Sequence, residues 1–271
     1  MQYLIVNADD LGINHHVNIA IEKLINESLV TSSTIMANGD AFEEAIDIAQ
    51  RNPNATYGVH LCIDQLKPLT KPDIFRQYGM VDDEGKFIQF AYLHIKRTKE
   101  IRDAIYNEWK TQIEKTIKSG ITISHLDSHH HTHCDSFLTP IYMRLAREYN
   151  IKKLRLAMFI PPTVKLKEKK TPIVLKTTGH SELTNKTSKA DRIIRGIKAY
   201  LELYKANRLI KRGFETTDFF CSYRYFLNNK ELLKQYQTIE VMVHPGHPSY
   251  QEETEQLTLL NNMRDIELIM Y

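Results

Sequence analysis

The first half of the chain alternates between unbroken apolar runs and apolar residues spaced three and four apart. Tyr3 to Val6 is continuous and apolar and ends in Asn7, Ala8, Asp9 and Asp10. A run without alternation is what a strand buried on both faces requires. Val17, Ala20, Ile21, Leu24 and Ile25 then recur at helical spacing. Val30 to Met36 predicts a second strand, rich in β-branched residues. Phe42, Ala45, Ile46 and Ala49 mark a second helix, stopped before Pro53. Tyr57 to Ile63 is a third strand. The same alternation resumes with a helix carrying Ile101, Ile105, Trp109, Ile113 and Ile117 and closed by Gly120. A strand over Ile121 to Asp127, a helix over Ile141 to Tyr149, a short strand at Leu154 to Leu156 and a late strand at Ile239 to Val243 follow. Strands alternating with helices through short connections imply a parallel sheet covered by helices. We expect a single α/β domain over residues 1–271, barrel-like with inserted loops rather than an open doubly wound sheet.

Two stretches interrupt the rhythm. Residues 67–99 hold Pro68, Pro72, Gly79 and Gly85 among charges and form a long excursion after the third strand. Residues 157–190 are polar and basic, with KLKEKK and NKTSK, and their charge run is expected to be a solvated loop. From Ala190 to Lys211 a helix returns, with Ile193, Ile194, Ile197, Leu201 and Tyr204 on one face.

Composition narrows the class. With 271 residues, 42% apolar and 25% charged, the chain is large enough for a rigid core. Its 36 basic and 33 acidic residues leave +3, too near balance to point to nucleic acid or a membrane surface. Cys62, Cys134 and Cys221 are few and far apart, which suits a reducing compartment. MQYLIVNADD lacks a basic n-region, so no signal peptide is expected, and no apolar run reaches about 18 residues. A cytoplasmic protein is the expectation.

The chemistry is concentrated at strand ends. His125, Asp127, His129, His130, His131 and His133 fall within nine residues, in mid-chain and directly after a buried-looking strand. That position disfavours a solvated chelating tract, and imidazole with carboxylate suits divalent metals. On a strand His125, Asp127 and His129 share a face, but His125 and His129 would lie about 13 Å apart, too far for one ion. His129, nearer the strand's C-terminal end, is the chosen ligand, because parallel α/β folds keep their sites there. Asp9 and Asp10 end the first strand, where one carboxylate can hold a metal while the other faces substrate. The plainer role, capping the first helix, falls to Asp10 or Asn14. His60 and His244 end the third and last strands on the same rim. Convergence from distant segments outweighs any one match.

These segments resemble a known family. NADDLG at 7–12, VTSSTIMANG at 30–39, GVHL at 58–61, ISHLDSHHHTH at 123–133 and EVMVHPGHP at 240–248 are similar to the YdjC-like carbohydrate deacetylases, which include chitooligosaccharide deacetylases. The resemblance runs from Gln2 to about Tyr149 and again near the C-terminus. It implies a distorted (β/α) barrel like that of polysaccharide deacetylases. It also implies one divalent ion, magnesium or zinc, on the residues matching Asp10, His60 and His129. By the same resemblance Asp9 is the base toward metal-bound water, His244 the acid for the leaving amine, and His131 and Arg155 are further candidates for the site. The partner implied is a small N-acetylated oligosaccharide of chitobiose type, and homo-oligomerisation is left open. Leu11 replaces the family's usual Phe, Cys62 and Ile63 its usual polar pair, and Leu66 its usual Gly, all near the rim. Two rival functions remain: a metal-dependent phosphoesterase or amidohydrolase, and a metal- or carbohydrate-binding protein without turnover. The first rival usually opens with His-x-His on its first strand, where this chain has Asp-Asp. No Gly-x-Ser-x-Gly elbow or Walker loop is present.

Overall fold

The structure is a computed structural model that describes residues 1–157 and 189–271, with side chains left aside at 189–196, 198 and 199. Most of the expected 157–190 insertion therefore lies outside the described residues, as do the side chains of Ile193 and Ile194.

Eight strands form one sheet in the order β5-β4-β3-β2-β1-β7-β6, with β8 beside the start of β1. They are β1 Gln2–Leu11, β2 Ser32–Ile35, β3 Thr56–Leu61, β4 Ile123–Ser128, β5 Lys153–Leu154, β6 Phe219–Ser222, β7 Thr238–Val243 and β8 Ile266–Leu268. Every pairing between them is parallel. The two ends of the sheet meet just ahead of β6, where Lys153 bridges Glu215. Leu154 N donates to Glu215 O at 3.0 Å and Glu215 N to Lys152 O at 2.9 Å. The sheet thus curls into a distorted barrel, as the alternation of elements implied.

Helices α1 His15–Asn26, α2 Phe42–Arg51, α4 Lys99–Lys118 and α5 Thr139–Glu148 follow the strands as expected, with α3 Asp73–Gln77 inside the excursion. Helix α6 spans Lys189–Gly213, and α7 Tyr223–Asn228, α8 Lys230–Leu233 and α9 Gln251–Glu255 are short. Strands β6 and β8 and these short helices carry too few residues to show a period, and none was expected. The apolar face foreseen on α6 is offset: Ile197, Leu201 and Tyr204 are exposed, while Leu203, Ala206 and Ile210 are buried. On α4 the stripe is buried at Ile101, Ile105, Trp109 and Ile113, but Ile117 is exposed. Among the described residues no helix is long and apolar enough to cross a membrane.

The excursion after β3 is folded back and clamped by two polar residues of α4. Glu108 and Gln112 are both fully buried. Gln112 holds Cys62 through both its backbone groups, at 2.9 and 2.7 Å. Glu108 accepts from Leu69 N at 3.0 Å, from Thr70 N at 2.8 Å and from the Thr70 hydroxyl at 2.6 Å. A buried carboxylate satisfied by loop amides is stabilising only while every partner is present. Glu108→Ala is therefore expected to cost about 1–3 kcal/mol, since it leaves two half-buried N–H groups without their acceptor. Denaturant unfolding monitored by circular dichroism checks this, and Glu108→Gln should recover part of the loss.

Candidate active site

The site begins with an irregularity in β1. Ala8 pairs with Ser33 but Leu11 with Ile35, so three steps on β1 face two on β2. The extra residue is taken up at Asp10, whose φ is +72°. Strand alternation would send Asp9 and Asp10 to opposite faces. The left-handed turn, which aspartate tolerates better than most residues, brings both carboxylates to the barrel mouth. Asp10 is free for this because Asn14 caps α1, its Oδ1 accepting from Val17 N at 3.0 Å.

His60 and Asp127 are direct neighbours across β3 and β4. The His60 Nδ1 lies 2.7 Å from Asp127 Oδ1, which leaves its Nε2 turned to Asp10 Oδ1 at 3.3 Å. Strand β4 ends at Ser128, and a 3₁₀ turn over His129–Cys134 follows. There His129 Nδ1 meets the same Asp10 oxygen at 2.8 Å, and its Nε2 meets Gln65 Oε1 at 2.5 Å. One ligand atom from each of Asp10, His60 and His129 lies within 4.8 Å of the others. In both imidazoles the nitrogen turned away from Asp10 is held by an acceptor, the arrangement that fixes the tautomer of a metal-ligating histidine. This donor set of one carboxylate and two oriented imidazoles fits a divalent cation. Asp64, His129 and His130 form a second such group, with His130 Nδ1 2.8 Å from Asp64 Oδ2.

Asp9 stands beside this group, held differently. Arg155, fully buried, spans its two oxygens with Nη1 and Nη2, both at 2.7 Å. Burial alone would raise the Asp9 carboxyl, but the guanidinium keeps it well below the usual carboxylate range. Arg155 also contacts Asp127 at 2.7 Å and donates from Nε to Glu240 at 2.6 Å. Burial is likewise the largest influence on His60, yet Asp127, Asp10 and Asp9 outweigh it and push the imidazole up to about 10. His244 Nε2 is 3.9 Å from Asp9 Oδ2, and its ring stacks on Tyr250 with centroids 4.6 Å apart. Burial lowers the His244 imidazole, against the pull of Asp9.

Asp9, Asp10, His60, Gln65, His129, His130, His244 and Tyr250 line a cavity of about 320 Å³ bordered also by Ile13, Phe90, His131, Met242, His247 and Ser249. Seven described non-glycine residues have positive φ. Ser28 and Asn150 close α1 and α5; Asp10, Phe90, His130 and His131 border the cavity, and Leu66 follows Gln65. Each costs on the order of 1–2 kcal/mol, and such strain collects where function aims a side chain. Leu66 holds a left-handed conformation that a glycine would adopt without such strain. His131 is held neutral, burial foremost and Arg155 next lowering it to about 3.

A family model described as YdjC-like protein matches residues 3–270. The chain belongs to the YdjC-like family. A carbohydrate deacetylase of Vibrio parahaemolyticus is 36% identical over 148 residues, 55% of this chain and 57% of that protein. In that match the chain spans little more than half of its relative's length. A carbohydrate deacetylase of Halalkalibacterium halodurans is 29% identical over 280 residues, covering 98% and 99% of the two chains. Among solved structures, an Enterococcus faecalis protein, provisionally described as acting in cellobiose-phosphate cleavage, matches with a TM-score of 0.68 at 24% identity. That match covers 100% of this chain and 97% of the other and supports the fold.

The five residues singled out from sequence, Asp9, Asp10, His60, His129 and His244, all border the cavity. His125 does not; it lies deeper in the barrel, stacked on Tyr271. Sequence reasoning missed Asp64, Gln65, Phe90, Glu240 and Tyr250. Glu240 had a signal, a charge inside the apolar strand IEVMV, which demands a buried partner. Gln65, Phe90 and Tyr250 reach the cavity from loops whose path no period encodes, and Asp64 holds His130 at its border. A divalent ion held by Asp10, His60 and His129 should be lost on His129→Ala, measured as ion content per chain by mass spectrometry. Full occupancy in that variant would place the ion elsewhere.

Proposed function

We propose that this chain is a metal-dependent deacetylase that removes acetyl groups from N-acetylated sugars, with chitobiose-type oligosaccharides as the substrate class. The observation that carries this reading is the pairing of two chemistries in one cavity. Asp10, His60 and His129, suited to hold a cation, sit beside Asp9, whose two oxygens are taken up by the Arg155 guanidinium. The full-length likeness to a carbohydrate deacetylase supports the same reaction class.

A divalent ion, magnesium or zinc, held by Asp10, His60 and His129 would polarise the acetyl carbonyl and lower the pKa of a water from 15.7 toward about 7. The remaining work belongs to the chain. Arg155 keeps Asp9 ionised and fixes its plane, so that one oxygen accepts the proton of the attacking water. Asp127 orients His60 and Gln65 orients His129. His244 protonates the sugar amine as the C–N bond breaks. Its separation from Asp9 exceeds hydrogen-bond length, which disfavours a purely orienting role. Phosphoesterase chemistry is the rival enzymatic reading, and phosphate release from sugar phosphates without acetate release would select it. The buried free cysteines suit the cytoplasm.

Two variants test the roles. Asp9→Asn should keep its ion and lose about 10²–10⁴ in the rate of acetate release from N-acetylated chitooligosaccharides. Wild-type turnover in that variant would move the base elsewhere. His244→Ala should slow hydrolysis of an N-acetyl sugar far more than of an activated aryl acetate, whose leaving group needs no proton. Equal losses on both would rule out the acid role.

A further inference from the structure

Below the cavity the barrel holds a second polar layer, which meets the pocket through the contact of Arg155 with Asp9. Glu240 of β7 is fully buried, and its two oxygens are engaged from opposite sides. One accepts from Arg155 Nε at 2.6 Å and the other from the Tyr271 hydroxyl. Tyr271 arrives from the segment after β8, where Ile269 N donates to Leu4 O at 3.0 Å and Tyr271 N to Thr56 Oγ1 at 3.2 Å. Its ring lies flat on His125, with centroids 3.7 Å apart and planes 12° from parallel. Room for His125 comes from Gly58, where a Cβ would fall 2.7 Å from the imidazole Cε1. Tyr271 is absent from the cavity lining, so any influence on the reaction must pass through other residues.

We propose that Tyr271 is a positioning residue for hydrolysis: by holding Glu240 it fixes the Arg155 guanidinium, and through it the plane of Asp9. The inference rests on Asp9 acting as the base. A guanidinium is planar and offers its five N–H groups in a fixed fork. The Nε side is set by Glu240 and the Nη side by Asp9 and Asp127, so tilting one side misaligns the other. Glu240 engaged at one oxygen alone is free to turn about its last torsion, which is broad. The tyrosine hydroxyl removes that freedom. Burial works against this layer, lifting the Glu240 carboxyl to about 7, while Arg155 and the Tyr271 hydroxyl favour its ionised form.

Tyr271→Phe keeps the ring on His125 and removes only the hydroxyl. The expected result is a lowered thermal midpoint with the fold retained, unchanged ion content, KM within about twofold, and kcat for acetate release lowered roughly 10-fold or more, as small misplacements of reacting groups cause. The ¹⁵Nε–H resonance of Arg155 should shift or broaden in the same variant. Glu240→Gln should reproduce both changes, and adding Tyr271→Phe to it should do no further harm. This second variant carries the test if the first fails to fold. An unshifted Arg155 resonance, or a shifted one with full kcat, overturns the proposal. Should the wild type release no acetate, the deacetylase reading fails, and the Arg155 resonance alone still decides whether Tyr271 positions the guanidinium.

Discussion

The interior of this barrel is governed by an excess of negative charge. Asp9, Asp10, Asp127 and Glu240 are buried together, and Arg155 is the one buried lysine or arginine among the described residues. Unpaired charges in a low-dielectric interior are costly, so each carboxylate needs a cation, a proton or several donors. Arg155 serves Asp9, Asp127 and Glu240. Asp10 is left facing two imidazoles, His60 and His129, whose protonated forms it favours. Ion pairs this deeply buried add little net stability. What they give is direction, and a divalent cation at Asp10 would complete the compensation that Arg155 begins.

That electrostatic demand explains the backbone around it. A regular β1 would place Asp10 on the opposite face from Asp9, and the bulge with its left-handed Asp10 places both at the mouth. The same logic extends to His130 and His131, whose left-handed turns follow the end of β4 and present both rings to the cavity. These strained positions are tolerable because the surrounding barrel is densely buried, from Leu4 and Val6 through Val59 and Leu126 to Val241. Helix α4 contributes by a different route. Through Glu108 and Gln112 it ties down the chain on either side of Gln65, the residue that holds His129. Packing at a distance thus sets the orientation of an imidazole at the mouth.

Much of this was legible in the sequence because strand ends in a parallel barrel share one rim. Knowing that β1, β3, β4 and β7 were strands was enough to group Asp9, Asp10, His60, His129 and His244. The alternation of runs likewise gave the barrel, although two strands and three short helices in the last third were too brief to carry a period. The lower layer was hidden for another reason. Tyr271, Glu240, Arg155 and His125 come from four separate stretches of chain, and only the closed barrel brings them into contact. Similarly, no pattern foretold that Gln65 and Phe90 would return to the cavity, since loop paths follow side-chain hydrogen bonds rather than periodicity.

The central claim is that this charge excess draws a cation to Asp10, His60 and His129 and leaves Asp9 free for catalysis. Anomalous scattering from crystals loaded with zinc tests it most directly. The expected result is a single strong peak between Asp10, His60 and His129, with Arg155 still spanning both oxygens of Asp9. A peak between Asp64 and His130, or one that takes Asp9 as a ligand and displaces Arg155, would contradict it.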